Sequence, residues 1–199
     1  MKNLILTMSI ALLMMGCAST TIEKSWKEPS ASITNNTKNK TFVIALVKDE
    51  VSRRVIEDIL VSRLGNNADA SYKTITSEML KNANENALNE QLLKGKFTHV
   101  LLMRLADVEK DTYYVEGTTT AYYGGYGLYY GYGAGYYSSP GYYTTDKNYF
   151  VETTVFSVNP NKLLWTATTK TVNPTNMDRT VNEIADVVSQ RMRKDGFLK

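Results

Sequence analysis

The spacing of apolar residues changes repeatedly along this chain, and each change predicts an element. Thr41–Val47 (TFVIALV) is a short continuous apolar run rich in β-branched residues, which suits a buried strand. Asp49–Leu64 then adopts a helical period. Val51, Val55, Ile56, Ile59, Leu60 and Leu64 share one face, with Arg53, Arg54, Glu57 and Asp58 mostly on the other. Asp49 and Glu50 open this helix where its dipole favours negative charge, and Gly65 is placed to stop it. Tyr72–Thr76 suggests a short second strand. Ser77 can cap a helix to about Lys94, with Met79, Leu80, Ala83, Ala87 and Leu92 as its apolar stripe and Gly95 as its stop.

Thr98–Leu105 reads as a central strand, and Val108–Thr120 favours β through Thr112-Tyr-Tyr-Val and Thr118-Thr-Thr. Asn148–Val158 (NYFVETTVFSV) is the strongest strand signal, with Tyr149, Val151, Thr153 and Val155 to one side and Phe150, Glu152, Thr154 and Phe156 to the other. The turn residues Asn159-Pro-Asn-Lys then hand over to Leu163–Val172 as the second arm of a hairpin. Pro174 ends that strand. Asp178–Lys194 is an amphipathic helix with Val181, Ile184, Ala185, Val188 and Met192 inward; Arg191, Arg193 and Lys194 fall in its last turn, and Gly196 caps it. The predicted order is β-α-β-α-β-β-β-β-α. It describes a single α+β domain over residues 41–199, with a mixed, largely antiparallel sheet and amphipathic helices packed on one face.

The amino terminus has a different texture. Met1-Lys2-Asn3 is a short basic start, and Leu4–Met15 (LILTMSIALLMM) is apolar throughout. A run of 12 residues falls short of the about 20 that span a bilayer, and suits the hydrophobic stretch of an export signal. Gly16 precedes Cys17, the single cysteine of the chain. This pattern resembles a bacterial lipoprotein signal, with Met14 and Met15 where Leu and a small residue are usual. The resemblance implies removal of residues 1–16 and a Cys17 bearing a diacylglycerol thioether and an N-acyl (palmitate-type) chain. Three chains exceed the two that stable anchoring needs. Ala18 follows Cys17, which resembles the pattern sorted to the outer membrane, facing the periplasm. Residues 17–40, polar apart from a few residues such as Trp26, read as a flexible tether.

The element order on a lipid tether is similar to the periplasmic domain shared by the lipoprotein LpoB, the TolB amino-terminal domain and the lipoprotein CsgG. The similarity covers Thr41–Lys199 as element order alone, and no site residue is carried over from it.

Between the strands lies the most unusual segment, residues 121–143 (AYYGGYGLYYGYGAGYYSSPGYY). It holds ten of the chain's 14 tyrosines: Tyr122, Tyr123, Tyr126, Tyr129, Tyr130, Tyr132, Tyr136, Tyr137, Tyr142 and Tyr143. It reads as a long loop joining two antiparallel strands. Tyrosine offers a large amphipathic contact surface at low entropic cost, while glycine favours disorder. The loop is therefore a flap without partner, an adhesive contact for an envelope protein complex, or a stacking surface for peptidoglycan glycans. It has no Lys or Arg to meet phosphates, so nucleic acid is disfavoured.

Composition adds limits. With 43% hydrophobic residues a core is feasible, and a net charge of +3 is too small to argue for nucleic acid or an acidic substrate. One Cys and one His exclude a Cys/His zinc site and an internal disulfide. His99 opens an apolar strand and reads as structural. Glu109, Asp111 and Glu116 cluster in sequence and read as a solvated face. The expectation is a non-enzymatic interaction module with no cofactor and no metal. Its predicted contact residues are Cys17 for the membrane, and Tyr122, Tyr123, Tyr126, Tyr129, Tyr130, Tyr132, Tyr136 and Tyr137 for a partner or glycan.

Overall fold

The computed structural model describes residues 20–31, 39–65, 67–81, 85–122 and 135–198. The fold is α+β. Eight strands run Thr20–Lys27 (β1), Thr41–Leu46 (β2), Ala68–Ala70 (β3), His99–Val115 (β4), Thr119–Tyr122 (β5), Gly135–Ser138 (β6), Tyr142–Ser157 (β7) and Lys162–Val172 (β8). Helices are Glu50–Leu64 (α1), Ser77–Lys81 (α2), Glu85–Lys94 (α3) and Met177–Lys194 (α4). Six strands form one sheet in the order β1-β8-β7-β4-β2-β3, and β5 pairs with β6 in a second. The sheet is mixed: β1 is antiparallel to β8, whereas β3 and β4 flank β2 in parallel.

The chain divides into two compact units, residues 1–108 with 149–199, and residues 109–148. In the larger unit the sheet has apolar side chains on both faces, because β2 is a continuous apolar run. Val43 and Ala45 point to a core shared with Leu101, Met103, Val155, Trp165 and Ala167 of the sheet, Ile56 and Leu60 of α1, and the inward stripe of α4. Phe42 and Ile44 point the other way, into a smaller cluster with Ile75, Leu92 and Phe97. The expected helical face is that of α1 and α4; α3 lines the opposite one. Trp165 is fully buried, stacks on Phe197 and donates from Nε1 to Asp195 Oδ2 at 2.9 Å, which closes the end of α4. Gly196 at φ +68° turns the chain there, in the left-handed region that favours glycine.

Two elements depart from expectation. Thr20–Lys27, inside the stretch expected as a tether, is a strand on the sheet edge. Its Thr-Thr-Ile start is β-prone, Ile22 packs on the core, and Thr20 Oγ1 lies 2.8 Å from Thr171 Oγ1 in a buried contact. The second strand is Ala68–Ala70 rather than Tyr72–Thr76, and Ser71–Lys73 forms a single tight helical turn. The helix expected over Ser77–Lys94 is described as α2 and α3, with residues 82–84 outside the described residues.

The polar face expected for α1 is also revised. Arg53 and Glu57 are fully buried, while Val51 is 70% exposed. Arg53 Nε donates to Glu57 Oε1 at 3.0 Å, and its Nη2 donates to Ser71 Oγ at 2.7 Å and to the Ile75 carbonyl at 2.8 Å. Glu57 also accepts from the backbone N–H of Ala45 at 3.1 Å and of Tyr72 at 2.9 Å. The helix is rotated so that an ion pair satisfies the irregular chain after β3, whose backbone groups have no ladder to join.

Candidate functional site

The described residues between 109 and 148 form a ribbon. Glu109–Val115 of β4 lies beside Tyr142–Asn148 of β7, with side-chain pairs that fix an antiparallel register. Asn148 Nδ2 donates to Asp111 Oδ2 at 2.6 Å, Tyr113 Oη donates to Asp146 Oδ2 at 3.3 Å, and the Thr112 and Thr145 hydroxyls lie 2.9 Å apart. Beyond them β5 and β6 continue as a ladder from Thr119–Ser138 to Tyr122–Gly135. The long loop expected over residues 121–143 therefore includes paired strand at both ends. Tyr122, Tyr136 and Tyr137 fall on these strands, while Tyr123, Tyr126, Tyr129, Tyr130 and Tyr132 lie outside the described residues.

The ribbon presents tyrosines on both faces, because strand side chains alternate. Tyr113 shares a face with Asp111, Asp146 and Asn148, and the Asp146 carboxylate beside it holds its phenol above the ordinary range. On the other face the Tyr114 and Tyr143 rings are 5.0 Å apart and tilted. The Tyr114 ring lies directly over Gly141, where an added Cβ would collide with it. Tyr113, Tyr114, Tyr142 and Tyr143 are 48%, 52%, 60% and 76% exposed, so large ring surfaces face solvent. Tyr113 and Tyr114 were not singled out in sequence; the signal available was the pair Thr112-Tyr-Tyr-Val in a β-prone stretch.

A second feature lies in the larger unit. A cavity of about 360 Å³ opens where β2 ends and α4 begins. Ala45 and Val47 line it from β2 and its exit, Met103, Arg104 and Leu105 from β4, Tyr149 and Val151 from β7, and Ile56 from α1. Pro174 to Met177, Thr180, Val181 and Ile184 line it from the entry and first turns of α4. Its shape follows from local sequence: Pro174 breaks β8, and Asn176 caps α4 by accepting from the Arg179 N–H at 2.9 Å. The one guanidinium at the wall, that of Arg104, pairs with Glu152 at 2.5 Å. Leu105 and Met177 remain 50% and 60% exposed at the mouth. A smaller polar cleft of about 180 Å³, lined also by Glu183, shares Pro174, Thr175, Asn176 and Thr180 with this cavity.

The other residues picked from sequence are dispersed. His99 is half-buried at the start of β4, with Nδ1 2.8 Å from the Thr98 hydroxyl; burial holds its imidazole below the usual range. Glu109, Asp111 and Glu116 are exposed, and Asp111 binds Asn148. Among the described residues no group of three His, Cys, Asp or Glu is placed to hold a metal ion. Cys17 lies outside the described residues.

Fold and site together define a small α+β protein with a tyrosine-bearing ribbon and an apolar cavity. No family model matches the sequence, and a search of curated proteins finds no match. Among solved structures, the chain is similar to a PelC dodecamer from Paraburkholderia phytofirmans, at 11% identity and a TM-score of 0.45, over 85% of this chain and 95% of that one. It is also similar to a PDZ domain protein from Parabacteroides distasonis, at 14% identity and a TM-score of 0.23, over 88% of this chain and 38% of that one.

Proposed function

We propose that this protein is an outer-membrane lipoprotein, anchored through Cys17 and facing the periplasm, that acts as a non-enzymatic interaction module in an envelope or cell-wall assembly. The contact surface is the ribbon. The observation that carries this reading is the exposure of Tyr113, Tyr114, Tyr142 and Tyr143 on two adjacent strands. Water-facing rings held on a paired backbone present broad amphipathic contact area with little rotamer entropy to lose on binding. The sequence reading of Cys17 supplies the location.

Two measurements test it. Labelled fatty acid is expected to enter the wild-type chain and not Cys17→Ala. In cells, the triple variant Tyr114→Ser, Tyr142→Ser, Tyr143→Ser is expected to lose a specific protein crosslink while keeping the wild-type unfolding midpoint. An unchanged crosslink pattern would sink the ribbon as contact surface. Loss of co-sedimentation with peptidoglycan in place of a protein crosslink would favour the glycan-binding alternative.

A further inference from the structure

We propose that the ribbon of one copy of this chain docks, by its Tyr113 face, on the open β1-β8-β7 face of the sheet in a second copy. The proposal rests on the ribbon being the contact surface and names its partner.

The first observation is a sheet face left open. In β8, Trp165 and Ala167 point into the core with α1 and α4, so Thr166, Thr168 and Lys170 point the other way. Register carries this face onto β1, where Trp26 stands opposite Thr166 and Lys24 opposite Thr168. It continues onto β7: the Thr154 and Thr166 hydroxyls are 3.1 Å apart, and the Lys170 ammonium lies over the Phe150 ring at 5.7 Å. On this side of the sheet Leu80 of α2 and Leu88 and Leu92 of α3 gather over Phe42, Ile44 and Val100 of β2 and β4. Among the described residues, that cluster takes no member from β1, β7 or β8. Trp26 is accordingly 46% exposed.

The second observation is that the ribbon and this face are chemical complements. The face is cationic and aromatic. It carries Lys24, Lys170 and Arg104 against Glu152, which Arg104 holds at 2.5 Å. The stretch from 109 to 148 is acidic and phenolic. It carries Glu109, Asp111, Glu116 and Asp146 against Lys110 and Lys147, in a chain whose net charge is +3. The Tyr113 face brings Asp111 and Asp146 together beside a half-exposed ring. Ammonium groups are attracted both to carboxylates and to the faces of tyrosine rings, and Trp26 offers an indole for ring-on-ring contact.

The dimensions agree. A two-stranded ribbon is about 10 Å wide, and three strands span about 15 Å. Over about 20 Å of strand the contact covers roughly 300 Å² on each copy, less than the about 800 Å² of a standard interface. It is therefore weak in dilute solution and depends on the local concentration that a shared membrane surface provides. Because the two patches differ, each docked copy still offers an unused ribbon or an unused face. The contact then propagates into a ring or an open stack.

The test uses full-length protein in cells, with the photocrosslinker benzoylphenylalanine in place of Tyr113 or, separately, of Tyr143 on the opposite ribbon face. After irradiation, products are sized and mapped by mass spectrometry. The expected result from position 113 is a dimer-sized product joined to a peptide carrying Lys24, Trp26, Thr166 or Lys170, with larger multiples above it. In Lys24→Glu combined with Lys170→Glu this product should fall several-fold at an unchanged thermal midpoint. If that variant does not fold, Lys24→Glu alone, on the exposed edge strand, takes its place. Unchanged yield in the folded charge variant overturns the proposal. A dimer joined through other residues, or formed from position 143 alone, overturns it too. Products that contain another protein and no second copy overturn it and leave the ribbon standing as a contact surface. No product from either position overturns both readings together.

Discussion

Arg53 and Glu57 show how a single pair can invert a sequence pattern. Charged residues four apart on a helix normally mark a solvated face. Here both are buried, because Glu57 gathers the backbone N–H groups of Ala45 and Tyr72 together with the Ser71 hydroxyl, 2.7 Å away. Removing one partner strands the other in low dielectric. Glu57→Ala is therefore expected to cost about 3–5 kcal/mol. Arg53→Met combined with Glu57→Leu should cost clearly less than the sum of the two single losses, read as urea midpoints. Strict additivity would show that the pair is not coupled. None of this was legible in sequence: the pattern contains the two charges but not the carbonyl and amides, 12 to 22 residues away, that call them inward.

At the scale of the element, helix ends were the most legible features. Asp49 was placed at the start of α1, and it caps that helix by accepting from the Ser52 N–H at 2.7 Å. The inward stripe read for α4 is the buried one, down to Met192. Both signals are local: the cap is set within one turn and the stripe within a single helix. Asn176→Ala should accordingly cost about 1 kcal/mol, within the 0.5–2 typical of a lost cap, in thermal or urea unfolding. No loss of stability would mean that Pro174 and the packing of Val181 hold the helix start without the cap. Strand β1 illustrates the opposite case. Its sequence is polar enough to pass for a tether, and its membership of the sheet depends on β8, whose Thr171 is 151 residues from Thr20. Residues 20–27 alone contain no trace of that partner.

For the whole molecule, the division into two units implies two levels of local stability. The larger unit holds two apolar clusters and the buried Trp165. The ribbon, by contrast, is made of strands whose side chains are largely exposed from Glu109 to Tyr114. Isolated two-stranded ribbons are marginal in water. Amide hydrogens of residues 110–114 and 143–147 should therefore exchange faster than those of 100–103 and 153–156, measured by mass spectrometry at neutral pH. Equal protection along β4 and β7 would mean that the ribbon unfolds only with the larger unit. The contact surface proposed above is drawn from this low-stability end, which leaves it free to adapt to a partner.

The sequence by itself determined the α+β class, the period of each long element, the caps of α1 and the stripe of α4, because 3.6- and 2-residue periodicities are written in neighbouring residues. It also determined that tyrosine is concentrated between β4 and β7. Only the tertiary structure decided that Arg53 and Glu57 turn inward, that Thr20–Lys27 joins the sheet, and that an apolar cavity opens where β2 ends and α4 begins. Each of these depends on groups brought together from distant parts of the chain. The free energy of burying a charge, completing an edge or leaving a void is a property of that assembled neighbourhood.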